Sequence, residues 1–408
     1  MQRTRFMSAR KSVLLAIVAA SSVALVACGG STTSESSSAT PTVASSVVAS
    51  DSPASDSAPA DPGVPGLAES QALVDGLLSS TGTYSEPPVE GGPPATPDKS
   101  IWIISCGESS SSCARATKGA VEAAEAIGWD AKVFDTQGDY SQAGEGVRQA
   151  IAAKADGIYA YFIDCSYMAE PLKEAKEAGI PVVQAEGVDC GDVDPATENL
   201  FAWSVTYSEG PILDWLKAWG TAQAAYLIVA GEGTGNALFV TDNEAVGTLA
   251  LNQAFEDQMK TCTGCSYTVA GYTFAEQYEG LGQKVSSELL KNPDINQIGV
   301  AYDGILQAGV AEAIQQSESQ YTIFAGEGQE PTIELVKSGL LAAGVGLDNE
   351  QESWSAIDSL NRIFNGVEPV SSGIGIQIYT ADQNLPESGA YVSPIDYKST
   401  YKATWGVS

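Results

Sequence analysis

The chain has 408 residues, of which 51 are Asp or Glu and 20 are Lys or Arg; its formal net charge is -31 and it contains no His. Nucleic acids and anionic surfaces attract basic patches, so this composition argues against a nucleic-acid partner. The lack of His excludes Ser-His-Asp hydrolysis, Cys-His catalysis and a zinc site with His ligands. We therefore predict neither a cofactor nor a metal. Beyond residue 11 the only arginines are Arg115, Arg148 and Arg362, which leaves few donors for clamping an anion.

The first 27 residues have the pattern of an export signal. Basic residues within 3–11 precede an apolar run over 13–27 that is too short for a stable membrane span. The stretch 25–29, LVACG, resembles the bacterial lipobox, in which the cysteine is diacylated and becomes the mature N-terminus. Two acyl chains are enough for stable anchoring. We therefore expect a signal peptide over 1–27, lipidation of Cys28 and a protein at the outer face of the cytoplasmic membrane; the alternative is an ordinary signal peptide with a chance cysteine.

The next stretch, 28–98, is interpreted as an acidic tether. Residues 31–98 contain no Lys or Arg, and Ser, Thr, Pro, Ala and Gly dominate. Such a composition offers too little apolar surface to offset the entropy of ordering the chain. Within it, residues 67–78 carry five apolar side chains that could line one face of a helix. This helix could dock on the body of the protein or could merely fluctuate.

Six cysteines remain once Cys28 is set aside, and an even number suits disulfides in an oxidising compartment. Proximity alone suggests the pairing. The predicted pairs are Cys106 with Cys113, Cys165 with Cys190, and Cys262 with Cys265. The last pair could instead form a redox motif or part of a metal cluster. A thioredoxin-like motif should open a helix, however, whereas 266–269 has the pattern of a strand, so structural disulfides are favoured.

From about residue 99 onward, short apolar strands alternate with helices, which predicts an α/β fold with parallel sheets and crossover helices. Strands are predicted at 101–104, 131–134, 157–163, 180–183, 200–205, 237–241, 267–270, 298–301 and 321–325. Helices are predicted at 113–127, 140–153, 167–178, 208–229, 245–259, 276–291 and 304–316. Because the alternation restarts after the glycine-rich stretch 231–235, two half-domains of the same design are expected.

Four segments resemble ribose-type periplasmic binding proteins, and they recur in the family's order between about 100 and 380. They are 156–158 (DGI), 175–182 (AKEAGIPV), 302–309 (YDGILQAG) and 337–343 (KSGLLAA). The resemblance implies the type I fold of two Rossmann-like lobes joined by three hinge segments. Carried over, lobe 1 would comprise 99–205 plus 328–368, and lobe 2 would comprise 206–327 plus 369–408. The hinge would lie near Val205, Glu327 and Pro369.

The same resemblance implies a solute-binding lipoprotein of an ABC importer, which is not an enzyme. Such a protein captures a small polar ligand between closing lobes and delivers it to ABC permease subunits. A sugar is the favoured ligand; nucleosides, amino-acid derivatives, autoinducer-like furanosides and polyamines are alternatives. A surface sensor or adhesin, and an exported glycosidase that uses two carboxylates, are rival functions. A lactose-repressor-like regulator is rejected, because no basic helix-turn-helix precedes the core.

Ligand-binding residues are expected just after the strands, because open parallel sheets bind ligands beyond the carboxyl ends of their strands. The candidates are Glu108, Asp164, Asp189, Asn243, Asp303 and Glu327. Carboxylates and amides can accept hydrogen bonds from a polyol, but the aspartates could equally be helix N-caps. Aromatic candidates for stacking on a sugar ring are Tyr140, Tyr167, Trp203, Tyr278 and Trp354. Several carboxylates without an evident Arg partner should reject acids and favour neutral sugars or cations.

Overall fold

The computed structural model describes residues 64–408, so the predicted signal peptide, Cys28 and the start of the tether lie outside the described residues. Within 64–408, no helix combines the length and the apolar character needed to cross a membrane. The first described helix, α1 (Leu67–Leu77), precedes an α/β body with two separate sheets. Each sheet forms the centre of one lobe.

The first lobe is built on a five-stranded parallel sheet. Its strands are β1 (Ser100–Ser105), β2 (Asp130–Asp135), β3 (Gly157–Tyr161), β4 (Val182–Ala185) and β5 (Trp203–Ser204), in the order β2-β1-β3-β4-β5. The intervening helices are α2 (Ser111–Ile127), α3 (Ala143–Ala152), α4 (Ala169–Glu177) and α5 (Cys190–Val193). β3 and β4 are buried throughout, which is why they read as continuous apolar runs.

The second lobe is built on a six-stranded sheet in the order β11-β10-β9-β8-β6-β7. Its helices begin with α6 (Ile212–Ala230). The remaining elements are β6 (Asn236–Asp242), α7 (Val246–Thr261), β7 (Ser266–Tyr272), α8 (Phe274–Tyr278), α9 (Leu281–Lys291), β8 (Gln297–Val300), α10 (Asp303–Ile305), α11 (Ala311–Gln316), β9 (Thr322–Ala325), α12 (Glu330–Lys337), β10 (Ala343–Val345) and β11 (Ile378–Thr380). All neighbours are parallel except β10 and β11, so an antiparallel edge strand completes the sheet.

Two C-terminal helices return to the first lobe. Helix α13 (Asn349–Phe364) packs on α2 and on strands β3 and β4, and α14 (Tyr397–Trp405) packs on α13 and α2. Trp354 of α13 stacks on Trp405 of α14, with ring centroids 5.5 Å apart. The C-terminal residues that were expected in lobe 2 are therefore divided between the lobes, because α14 buries its aromatic face against lobe 1.

The lobe boundary expected at residue 328 also differs from the structure. β9 and β10 are adjacent parallel strands of the second sheet, so the chain leaves this lobe only after Val345. The segments that pass between the lobes lie side by side: the Ser372 N–H bonds the Thr206 carbonyl, and the Gly346 N–H bonds the Gln377 carbonyl. Val205 and Pro369 fall in such crossing segments, whereas Glu327 follows β9 inside the second lobe.

The part of the predicted tether that the structure describes is packed against both lobes. Val74 and Leu77 of α1 are buried, and α1 packs on α6. Further along, the buried Tyr84 donates from its hydroxyl to the Gly346 carbonyl at 3.0 Å, and the Trp129 indole donates to the Thr96 carbonyl at 2.7 Å. A few apolar residues thus hold 67–98 on the body. The expectation of a free tether up to residue 98 is therefore not met in this stretch.

Three disulfides join the cysteines that lie closest in sequence. They are Cys106–Cys113, Cys165–Cys190 and Cys262–Cys265. The first two fix loops at the carboxyl ends of the strands of the first lobe, where ligand-binding residues are expected. Asp189 lies beside the Cys165–Cys190 bond, but its carboxylate oxygens accept backbone N–H groups and these sulfurs are bonded to each other, so this cluster is not a metal site.

Replacing Leu77 with Ala should lower the free energy of unfolding by about 2–5 kcal/mol, because it removes a buried side chain that holds α1 on the second lobe. The matched control is Gln71→Ala on the exposed face of the same helix, which should change stability by less than about 0.5 kcal/mol. Chemical denaturation of both variants measures the difference. Equal effects would mean that α1 is not held by its apolar face.

Candidate functional site

A cleft between the two lobes contains a cavity. This cavity has a volume of about 290 Å³, and its lining residues come from both lobes. A second cavity of about 140 Å³ shares five of these residues: Tyr140, Phe162, Glu186, Tyr302 and Glu327. Most of the lining follows the carboxyl ends of β3, β4, β6, β8 and β9, as the parallel topology requires.

Aromatic rings from both lobes form much of the cavity wall. In the first lobe, Tyr140 lies edge-on to Phe162 and to Tyr167, with centroid distances of 6.3 and 5.5 Å. Phe162 and Tyr167 keep 38% and 43% of their surface exposed, which is unusual for large aromatic side chains inside a cleft. Such exposed rings offer flat apolar faces to a ligand.

The second lobe contributes three further aromatic side chains. Trp215 and Trp219 of α6 pack edge to face at 5.0 Å, and both border the cavity although they are almost fully buried. Tyr302 follows β8, and its hydroxyl lies 2.7 Å from the Tyr272 hydroxyl. The Trp215 indole donates to the Gly375 carbonyl, whereas the Trp219 indole N–H is buried with no partner among the described residues.

Four carboxyl groups also line the larger cavity: Asp164, Glu186, Glu244 and Glu327. Burial raises the pKa of Asp164, although its Oδ1 accepts the Val188 N–H at 2.9 Å. Burial also raises the pKa of Glu327, and the hydrogen bond from the Ser112 hydroxyl at 2.8 Å opposes this shift. Because Ser112 belongs to the first lobe and Glu327 to the second, this bond spans the cleft.

Glu186 lies close to two other carboxyl groups. Its pKa lies well above the ordinary value because it is buried, and the neighbouring carboxyl groups of Glu352 and Glu327 raise it further. Glu186 and Glu327 lie on opposite lobes, so two acids face each other across the cleft. Such a pair favours retention of a proton at one of them.

Three residues at the cavity have left-handed backbone conformations. Phe162, Glu186 and Glu327 have φ values of 54°, 58° and 56°, and each directly follows a strand or lies within two residues of its end. This conformation costs a non-glycine residue about 1–2 kcal/mol. Strained residues of this kind persist where the surrounding structure holds them, and they cluster at ligand-binding sites.

A buried polar network forms the floor of the cleft. Glu352 of α13 accepts hydrogen bonds from the Tyr207 hydroxyl at 2.7 Å and the Tyr161 hydroxyl at 3.2 Å. The Asn349 side-chain amide donates to the Tyr161 oxygen at 2.8 Å, and the Gln329 amide donates to Asn349 Oδ1 at 2.8 Å. The network therefore joins the first lobe to the turn after β9. Burial outweighs these hydrogen bonds and raises the pKa of Glu352 to about 8.

Of the six ligand-binding candidates, the structure brings Asp164 and Glu327 to the cavity and places two other aspartates behind it. Asp189 accepts the backbone N–H groups of Cys190, Leu200 and Phe201 at 2.7 to 3.1 Å, so it caps α5 and fixes the next loop. Asp303 is fully buried and accepts the Gln329 N–H at 2.7 Å, which holds the turn that carries Glu327. Both have the N-cap or bracing role that was the alternative interpretation.

The last two candidates also do not line either cavity. Glu108 is exposed, and its carboxylate accepts the hydroxyl groups of Ser105 and, at 2.7 Å, Thr117. Asn243 is exposed and its side chain lies over Gly271, where a Cβ atom would meet the amide nitrogen at 2.1 Å. Both follow strands as expected, but their side chains are held by neighbours within their own lobe.

Among the aromatic candidates, Tyr140 and Tyr167 line the cavity, whereas Trp203 and Trp354 do not. The side chain of Tyr278 lies outside the described residues. Four further lining residues, Phe162, Tyr302, Glu186 and Glu244, were not among the candidates, although all four lie just after strands. Trp215 and Trp219 of α6 belong both to the core and to the cavity wall.

Comparison with known proteins identifies the family. Residues 103–368 match the model of the periplasmic binding protein domain, so the chain belongs to this family. No curated protein matches the sequence. The family and the two-lobed architecture confirm the expected type I fold, with two sheets of mostly parallel strands.

Solved structures with the same fold include three sugar-related proteins. A solute-binding protein from Actinobacillus succinogenes with bound D-allose has a TM-score of 0.61 and 18% identity, covering 70% of this chain and 98% of its own. A glucose-galactose binding protein from Geobacillus stearothermophilus has a TM-score of 0.59 and 19% identity, covering 70% and 98%. A carbohydrate transporter protein from Acidothermus cellulolyticus with myo-inositol has a TM-score of 0.55 and 18% identity, covering 76% and 99%.

Replacing Asp189 with Ala should lower the free energy of unfolding by about 3 kcal/mol, because three backbone N–H groups lose their acceptor. The control is Asp192→Ala, an exposed position on the same short helix, with an expected change below about 0.5 kcal/mol. Urea denaturation of the two variants makes the comparison. A loss of ligand affinity without a loss of stability in Asp189→Ala would return this residue to the binding site.

The free energy of unfolding should fall as the pH rises from about 4.5 to about 8, because native Glu352 keeps its proton over this range and the unfolded chain does not. One pKa unit corresponds to about 1.4 kcal/mol, so a rise of the Glu352 pKa from 4.5 to about 8 means that Glu352→Gln should flatten the profile by up to about 5 kcal/mol. Denaturation at a series of pH values measures both profiles, with Glu312→Gln on the exposed surface as control. Parallel profiles for wild type and Glu352→Gln would contradict the assignment.

Proposed function

We propose that this protein is the extracytoplasmic receptor of an ABC importer and that it binds a sugar between its two lobes. The observation that carries the proposal is the cavity itself, in which aromatic faces and carboxyl groups from both lobes converge. Its volume of about 290 Å³ suits a small ligand. The family and the sugar-bound proteins of the same fold support this choice of ligand.

The chemistry of the cavity suits a sugar in two ways. The exposed faces of Phe162 and Tyr167 can pack on the apolar face of a ring, and the carboxyl oxygens of Asp164 and Glu327 can accept its hydroxyl groups. A ligand that touches both lobes stabilises the closed state by its differential affinity for that state. The permease then recognises the closed pair of lobes, as in hinge-closing receptors.

A binding role without catalysis is also part of the proposal. The cavity brings together several carboxyl groups, which glycosidases use as acid and base, so turnover must be tested directly. Incubation with neutral glycosides should leave them intact while the protein binds them. Release of the free sugar at a rate that depends on Glu186 or Glu327 would instead indicate a glycosidase.

We place the protein outside the cytoplasmic membrane, tethered through a diacylated Cys28. The support is the lipobox-like stretch 25–29 together with the family, whose members bind solutes outside the cytoplasm. Cys28→Ser should move the protein from the membrane fraction to the soluble extracytoplasmic fraction, as measured by fractionation and immunoblotting. Unchanged membrane association of Cys28→Ser would contradict lipid anchoring.

A monosaccharide ligand at about 100 times its dissociation constant should add about 2.7 kcal/mol to stability in a thermal-shift screen. Glu327→Gln should weaken binding of that ligand by about tenfold or more in calorimetry, because it removes a charged acceptor at the centre of the cleft. Glu330→Gln, an exposed position one turn away, is the matched control and should bind normally. Equal affinities of both variants would place the ligand elsewhere.

A further inference from the structure

We infer that the ligand of this cleft carries a positive charge, and that the site takes an amino sugar, a sugar ring with an ammonium group. The inference rests on the proposed function, because it specifies which class of sugar the receptor binds. Three features support it: the carboxyl groups that line the cavity, the aromatic rings beside them, and the buried indole N–H of Trp219.

Acidic side chains outnumber basic ones at the cavity. Four carboxyl groups line it, and no Lys or Arg is among the described residues that line either cavity. The three arginines of this region have other partners. Arg148 bonds Glu174, Arg362 bonds Asp358, and Arg115 bonds the Asp348 carboxylate and the Tyr391 carbonyl. An ammonium group would place a positive charge among four carboxyl groups, in a lining to which no described Lys or Arg contributes.

Both lobes contribute acids to the cavity. Asp164 and Glu186 come from the first lobe, and Glu244 and Glu327 come from the second. Glu327 raises the pKa of Glu186 across the cleft, so each of these two acids opposes the ionisation of the other. A cation between them would favour the ionised form of both acids and would be attracted to both lobes at once, an advantage that a neutral sugar lacks.

Aromatic rings from both lobes also line the cavity. Tyr140, Phe162 and Tyr167 form one group on the first lobe, and Tyr302 faces them from the second lobe. Ring faces attract cations within about 6 Å of their centroids, and the attraction grows when the cation is desolvated. Aromatic faces and carboxylates together are the surroundings that an ammonium group requires.

A simple amine would leave the indole of Trp219 without a partner. Trp219 borders the cavity, and its buried indole N–H has no partner among the described residues. It can only donate, so its partner on a ligand must be an acceptor such as a hydroxyl or ring oxygen. The ligand therefore combines an ammonium group with sugar oxygens.

The test is calorimetry of the full chain with matched ligands: D-glucosamine, D-galactosamine and D-mannosamine, each beside its parent hexose and its N-acetyl derivative. We expect at least one amino sugar to bind at least tenfold more tightly than both of its uncharged counterparts. A parent hexose that binds as tightly as its amino sugar would overturn the inference and leave the proposed function standing. Binding of none of these sugars would overturn the inference alone, whereas binding of putrescine as tightly as the best amino sugar would overturn both.

Charge-neutral variants make the test specific to the site. Glu186→Gln and Glu244→Gln should each weaken binding of the amino sugar by about 10- to 100-fold and binding of an uncharged counterpart much less. The control is Glu312→Gln, an exposed position on α11, which should leave both affinities unchanged. Glu244 is exposed at the cavity rim, so its variant should fold even if Glu186→Gln does not. Equal losses for charged and uncharged ligands would overturn the inference.

Discussion

The buried polar network beneath the cleft is the constraint on which the rest of the site depends. Residues 351–362 of α13 are buried without interruption, although many of them are polar. Buried polar groups must find partners, because each one left unpaired costs about 1–3 kcal/mol. Glu352 meets this requirement by accepting hydrogen bonds from the hydroxyl groups of Tyr161 and Tyr207. Tyr161 ends strand β3 of the first lobe, whereas Tyr207 lies in the segment that leads to α6 of the second lobe. Few arrangements of the lobes satisfy all these groups at once, so the network restricts how the lobes can rotate.

This network also links the hinge to the charge of the ligand site. Glu186 lines the cavity, and its carboxyl group lies against that of Glu352, which raises its pKa. Two neighbouring buried carboxyl groups cannot both be ionised without strong repulsion, so a proton is retained between them. A ligand that changes the charge state of Glu186 therefore alters the electrostatics of the floor. Glu186 in the cavity and Glu352 beneath it are therefore electrostatically linked, although Glu352 does not line the cavity.

Much of the fold was predictable because parallel strands and amphipathic helices have local periodic patterns. Two predicted helices, 276–291 and 304–316, are interrupted in the structure. The cause is a glycine in each, Gly280 with a φ of 110° and Gly309 with a φ of 91°, which apolar periodicity does not reveal. Helix α13 was not predicted, because many of its buried residues are polar, so the core-facing side of the helix cannot be recognised from apolar spacing. The lobe boundary also depends on which sheet β10 joins, and that is set by pairing with β9 rather than by the local sequence.

The binding site was predictable only to the level of the strand ends. Ligands of parallel sheets bind beyond the carboxyl ends of the strands, but this rule does not say which residues there face the cleft. It selects Asp164, which lines the cavity, and equally Asp189, which caps a helix and braces the backbone. An aspartate after a strand serves either purpose, and what decides is whether unpaired backbone N–H groups lie within its reach. Those groups come from distant segments: Asp189 reaches Phe201, and Asp303 reaches Gln329. Asp189 and Asp303 are held behind the cleft by these distant N–H groups, whereas Asp164, Glu186, Glu244 and Glu327 line it.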